Sequence, residues 1–228
     1  MYMHTKESLI KPFEIMNADS NAMTAPDVPR ITRLVIVVLF LWLALIAFLG
    51  GRGDLAKTIH GAPLPVLLAV VVPVLVFFAA FRFSASFRDF VLGFDLRLAA
   101  GIQAWRFAGF SFLALLASGV LPAAFAWPAG VGDMIIGMTA PWVMLALIRD
   151  REFVRSRWFA LWNGFGMLDL IVAVSVGGLY FMFSHGLPGE ITTRPMSQLP
   201  LALIPCYLVP IFFMLHLAAI FQRRSIAP

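Results

Sequence analysis

From Leu34 to Leu49 the chain reads LVIVVLFLWLALIAFL, a run without a charged residue that ends at Gly50 and Gly51. A bilayer core of ~30 Å takes about 20 apolar helical residues at ~1.5 Å each, so a run of this kind is suited to crossing a membrane. Five more follow: Leu64–Phe81 with Pro73 in its middle, Leu98 to about Leu121, Val131–Ile148, Trp158–Phe183 and Leu201–Phe221. Backbone in lipid must satisfy its own hydrogen bonds, which favours helices, and the period-two alternation of a membrane barrel is absent. The expected fold is all-α: a polytopic membrane protein with a bundle of six transmembrane helices. Composition agrees. Of the 228 residues 61% are apolar and 13% charged, the latter about half the ~25% of soluble domains. That excludes a water-soluble enzyme, a disordered chain and a nucleic-acid module. Cys206 is the one cysteine, so neither an internal disulfide nor a Cys-based metal cage can form.

The distribution of Lys and Arg predicts orientation. Thirteen of the 17 fall on one side of a six-span arrangement, in the N-terminal tail, the connections after spans two and four, and the C-terminal tail. Three (Arg52, Lys57, Arg194) fall on the other, and Arg106 lies within span three. The positive-inside rule then places both termini in the cytoplasm, most naturally at a bacterial inner membrane. The chain divides into a polar tail (1–33), the transmembrane domain (34–222) and a short basic tail (223–228). Within the first tail, Leu9–Met16 reads either as a short surface helix or as part of a polar segment. Phe87–Leu96 (FRDFVLGFDL) sets Phe87, Phe90, Val91 and Phe94 on one helical face, as an interfacial helix would. Leu121–Gly130 (LPAAFAWPAG), with two prolines, is expected to be an outer loop, with re-entry into the membrane as the alternative. The 185–200 connection is expected to be a solvated loop, or else a cap over an outward opening.

An ionisable side chain inside a span costs about 2.5–3.5 kcal/mol on insertion scales, so each one calls for a reason. Asp169 lies near the middle of span five, with Ala173 and Gly177 following on its face, a small-residue surface suited to a neighbouring helix or a cavity. It reads either as a functional carboxylate or as helix-packing glue. Arg106 and Gln103 share a face of span three beside a stripe of Ala100, Ala104 and Ala108. Arg106 either snorkels to the interface or turns inward to meet Asp169, whose expected depth differs by roughly 6 Å. His216 and Asn163 lie at the depth of Gln103. A lone histidine is commonly a satisfied interior residue, and span six also carries Pro205 and Pro210, which should bend or open it. Asp133 opens span four, where it suits the positive end of the helix dipole or serves function.

Gly130-Val131-Gly132-Asp133 resembles the GxGD tetrapeptide of the intramembrane aspartyl proteases, which include the presenilin-like and prepilin-peptidase groups. The resemblance implies a second membrane Asp sharing a proton with Asp133 and activating water, a part that Asp169 would take. Asp169 follows the tetrapeptide, whereas the family's partner Asp precedes it. The Pro-Ala-Leu motif of the presenilin-like branch is absent, Pro200-Leu201-Ala202-Leu203 being a near match. With six simple spans Asp133 is expected near the outer face, too far from Asp169 to share a proton.

No HExxH, histidine box, GxSxG or phosphate loop is present, and no cofactor or metal is expected. The polar residues are expected to form a ladder at graded depth: Gln103, Asn163 and His216 toward the cytoplasm, Arg106 and Asp169 central, Asp133 toward the outside. That arrangement suggests movement of a small solute or ion, coupled to protons through Asp, Arg and His. The alternatives are a membrane-embedded enzyme acting on a lipid-soluble substrate, with Arg106 holding its anionic group, and a non-catalytic subunit of a membrane complex. The expected partners are the lipid bilayer and the solute or ion, with a homo-oligomer or a membrane complex left open; nucleic acid is not among them.

Overall fold

The computed structural model describes residues 28–226 apart from 60, 184–186 and 188. Leu9–Met16, most of the 1–33 tail and His185 lie outside the described residues. The architecture is all-helical, and no strand occurs among the described residues beyond an isolated bridge between Ile59 and Ala62. The helices are α1 (Val28–Gly51), α2 (Leu64–Phe83), α3 (Ala85–Leu92), α4 (Leu96–Ile102), α5 (Phe110–Ala117), α6 (Ala123–Arg149), α7 (Arg157–Met182) and α8 (Val209–Ile226). A 3₁₀ stretch, Gln103–Gly109, joins α4 to α5, and a π-helical turn, Ile204–Leu208, leads into α8. Six stretches are long and apolar enough to cross a membrane: Arg30–Gly51, Leu64–Phe83, Leu96–Ala117, Ala123–Arg149, Arg157–Met182 and Ile204–Ile226. This is the make-up of a multi-pass membrane protein.

Short polar residues mark where several helices start. Ser84, Asp95 and Ser156 each accept a backbone N–H from the first turn of α3, α4 and α7, which satisfies donors that the helix itself leaves open. The Arg97 guanidinium bonded to Asp95 holds that carboxyl below the usual carboxylate range, so the cap is charged.

Leu121–Gly130 is helix and not the expected loop. Pro122 sits at the N-cap of α6, where a missing N–H costs nothing. Phe125, Ala126, Ala129 and Gly130 are buried on the face that continues through Ile136, Gly137, Ala140, Val143 and Leu147. Inward packing of that face therefore outweighs the loop-like composition. Asp133 becomes the eleventh residue of a 27-residue helix, well past the first turn where the helix dipole acts.

The third span also departs from expectation. Gln103–Gly109 is wound as 3₁₀, about 3.0 residues per turn, so residues three apart eclipse. Gln103, Arg106 and Gly109 accordingly form one buried line, while Ala108 of the expected alanine stripe is exposed. This line meets α6, where Gly137 brings its backbone against that of Phe107.

The expected interfacial face of Phe87, Phe90, Val91 and Phe94 does exist, but it turns toward protein. Val91 is buried, Phe87 packs on Phe77 of α2, and Gln222 of α8 donates to the carbonyls of Val91 and Phe94. The prolines of the last span have the expected effect, because the π turn contains Pro205 and Pro210 follows it.

The core falls into layers. One apolar cluster gathers Leu96, Ala100, Val143, Leu147, Phe159 and Ala219. Another gathers Phe112, Phe125, Ala126, Ala129 and Met196, with Ala173 and Ile204 against it. Spans three, four, five and six each run from one layer to the other, and between the layers they carry Arg106, Asp133, Asp169 and His216. The outer faces are aliphatic and aromatic, with Phe40 68% and Trp105 77% exposed, as suits contact with lipid tails.

Candidate functional site

The four ionisable residues sit near the middle of their spans. Arg106 is the eleventh residue of Leu96–Ala117, Asp133 the eleventh of Ala123–Arg149, Asp169 the thirteenth of Arg157–Met182 and His216 the thirteenth of Ile204–Ile226. They form one network around Arg106, whose side chain has no exposed surface. Its Nε donates to Asp133 Oδ1 at 2.6 Å and its Nη2 to Asp169 Oδ2. Nη1 donates to the Gly166 carbonyl at 3.2 Å and meets His216 Nε2 at 3.1 Å.

That last contact fixes the histidine. A guanidinium has only donors, so Nε2 must accept, and the proton of a neutral imidazole then lies on Nδ1. Nδ1 faces Asn163 Oδ1 at 2.9 Å, while Asn163 Nδ2 donates to the Phe159 carbonyl at 2.8 Å. The chain of donors is consistent throughout: His216 is neutral and holds one corner of the guanidinium. Trp162 packs edge-on to the His216 ring at 5.3 Å between centroids and donates through Nε1 to Thr139 Oγ1 at 2.8 Å.

Glycines make this convergence possible. A Cβ on Gly132 would overlap the Asp169 carboxylate, and one on Gly166 would overlap the His216 ring and approach Arg106 Nη1 to 3.2 Å. Gly132→Ala is expected to push Asp169 off Arg106 and cost about 1–3 kcal/mol, the range for overpacking. Gly164 of α7 has no atom within 4 Å of the same added methyl, so Gly164→Ala should leave stability unchanged or raised. Thermal unfolding of the two variants in detergent makes the comparison.

Asp133, Asp169, Arg106, His216 and Asn163 are thus one cluster and not a ladder. The graded depths fail because Asp133, expected near the outer face, lies deep in the longer α6. Gln103 stands beside the cluster and donates to the Phe212 carbonyl at 3.0 Å. It also lines a void of about 10 Å³ with Asn163 and His216, the room of a single water. The inward Arg106–Asp169 pair is present as an ion pair. Sequence reasoning missed the roles of Gly132, Gly166, Thr139 and Trp162. Asn163, Gly166 and Asp169 stand three residues apart on one face of α7, a spacing that was readable.

Charge balance is the chemical content of the site. Two carboxylates share one guanidinium and the histidine is neutral, so with both carboxylates ionised the cluster carries one excess negative charge. A buried charge needs a partner, and the available partners are a proton or a cation. Access is on the Asp133 side. A cavity of about 70 Å³ lies between the cluster and the described part of the 185–200 connection, walled by Phe112, Phe125 and Phe181, and among the described residues Asp133 is its only ionisable lining residue. Thr193 and Ser197 of the connection also line it, with Thr193 Oγ1 donating to the Gly177 carbonyl at 2.7 Å. The described part of that connection is therefore docked onto α7 and not simply solvated.

The geometry argues against two of the sequence-based alternatives. Arg106 bonds to both carboxylates, so the arrangement differs from the water-bearing pair implied by the GxGD resemblance. The Arg106 side chain is fully buried, which leaves no open face for an anionic substrate group in this conformation. Among the described residues, no group of three or more His, Cys, Asp and Glu is placed to hold a metal ion.

No curated protein and no solved structure matches the chain. Residues 63–223, which span α2 to α8 and hold every residue of the cluster, match the family described as Domain of unknown function (DUF8737). The chain belongs to the DUF8737 family.

Proposed function

We propose that the protein moves a small solute or ion across a membrane, coupled to a proton held by Asp133 and Asp169. The observation that carries the reading is the pair of carboxylates on one guanidinium, Asp169 buried and Asp133 half-buried, with Asp133 at the wall of a cavity. A cluster one positive charge short takes up a proton or a monovalent cation from that cavity, and either one makes it neutral. Releasing the proton restores the deficit and favours a cation in its place, which couples the two. The apolar layer of Leu96, Val143, Leu147 and Phe159 seals the other end, so exchange is with one side in this conformation. The π turn at Ile204–Leu208 and the 3₁₀ stretch at Gln103–Gly109 are irregular points where spans six and three can rewind.

In this reading the six spans form a bundle in a bacterial inner membrane with both termini in the cytoplasm, supported by the asymmetry of Lys and Arg. The cavity then faces outward. The test uses proteoliposomes filled with a pH-reporting dye and challenged in turn with small inorganic and organic cations. At least one cation is expected to drive a dye response that protein-free vesicles lack. Silence across the panel, from protein shown to be folded, would count against the reading.

A further inference from the structure

On the outer flank of α6 and α7 lies a second, larger hollow of about 460 Å³, lined by Thr139, Trp142, Phe153, Trp158, Trp162 and Phe165 among others. Its walls are apolar in effect as well as in composition. The one wall hydroxyl, Thr139 Oγ1, donates to the Ile135 carbonyl at 2.6 Å and accepts from Trp162 Nε1 at 2.8 Å, so its one donor is engaged within the protein. An occupant is therefore held by hydrocarbon contact. The flank is also open, since Trp142 is 71% and Trp158 62% exposed. In a bilayer such a surface meets lipid chains.

One end of the groove is cationic. Arg157 lies with its guanidinium 5.1 Å from the centre of the Trp158 ring and makes no ion pair among the described residues. The 149–157 segment adds Arg149 and Arg151, whereas Arg155 is paired with Glu152 at 2.8 Å. A cation fixed on an interfacial indole above an apolar trough is complementary to a molecule with a phosphate head and an acyl tail. We propose that this groove is a binding site for an anionic phospholipid, with an acyl chain lying along Trp142, Leu161 and Phe165 and the phosphate on Arg157. Trp162, which packs on His216, is the wall between this site and the cluster.

Purified protein is titrated with phosphatidylglycerol or with phosphatidylcholine of the same acyl chains, and retained lipid is counted by native mass spectrometry. The expected preference for phosphatidylglycerol is about five-fold, the scale conferred by one cation at a membrane surface. Arg157→Gln should remove that preference, and Trp158→Ala should lower retention of both lipids. Arg82→Gln is the control, because Arg82 also stacks on an aromatic ring, that of Phe83 at 5.7 Å, but Phe83, unlike Trp158, is not a wall of this groove; it should change nothing. Equal retention of the two lipids by the unaltered protein would overturn the proposal. So would an undiminished preference in Arg157→Gln, or an equal loss in Arg82→Gln, which would mark general surface charge.

Discussion

Arg106→Gln is expected to destabilise the protein by about 3–5 kcal/mol, the range for removing one partner of a buried ion pair. The side chain is wholly buried and serves Asp133, Asp169, His216 and the Gly166 carbonyl together. Removing its charge leaves two carboxylates close together with no cation. The loss should be non-additive with neutralisation of its partners. Arg106→Gln combined with Asp133→Asn and Asp169→Asn should recover much of the stability, because no uncompensated charge remains. Arg106→Lys should fall between, since a point charge with three donors on a flexible stem cannot serve all four acceptors. Thermal unfolding in detergent reads the series. A triple variant no more stable than Arg106→Gln alone would show that shape, and not charge, dominates at this position.

Asp169→Asn is expected to leave the fold intact and abolish the cation-driven dye response, a loss of about 100-fold or more, as when a proton-transfer group is removed. The amide is nearly isosteric with the carboxylate, and its oxygen still accepts from Arg106 Nη2. Stability is retained because Arg106 keeps Asp133 as a countercharge. The charge arithmetic changes decisively, however: one guanidinium now balances one carboxylate, and the cluster is neutral without a proton. A cluster with no deficit has nothing to exchange. Full response in folded Asp169→Asn would remove this residue from the mechanism and return it to a packing role.

The spans were legible because lipid imposes one rule along the whole chain, that of an apolar run of sufficient length. The Arg106–Asp169 pair was legible for a related reason, since helices of known rise put the two at similar depth. Asp133 was not, and the cause is local. LPAAFAWPAG has the prolines and small residues of a loop, but Pro122 suits a helix start, and the buried face at Phe125, Ala126 and Ala129 decides the outcome. That shift of the helix start carried Asp133 from the surface into the cluster. The 3₁₀ winding of Gln103–Gly109 was equally hidden, because alanines at positions 100, 104 and 108 suggest an α-helical stripe. It is the tertiary crossing with Gly137 that goes with the line of Gln103, Arg106 and Gly109. His216 looked isolated, since its partners lie on spans three and five, far away in sequence. The hollow of Trp142, Trp158 and Trp162 was invisible for the same reason, as two helices form it jointly.

The central claim is that the cluster binds and releases a proton, and infrared spectroscopy of the carboxyl groups tests it most directly. Spectra of the reconstituted protein are recorded across a pH series, and those of Asp133→Asn/Asp169→Asn are subtracted to cancel the surface carboxylates. A carboxylic C=O stretch that grows on acidification and fades on alkalinisation is the predicted result. A difference spectrum with no such band at any pH would contradict the account, leaving Asp133 and Asp169 as fixed partners of Arg106 that hold the helices together.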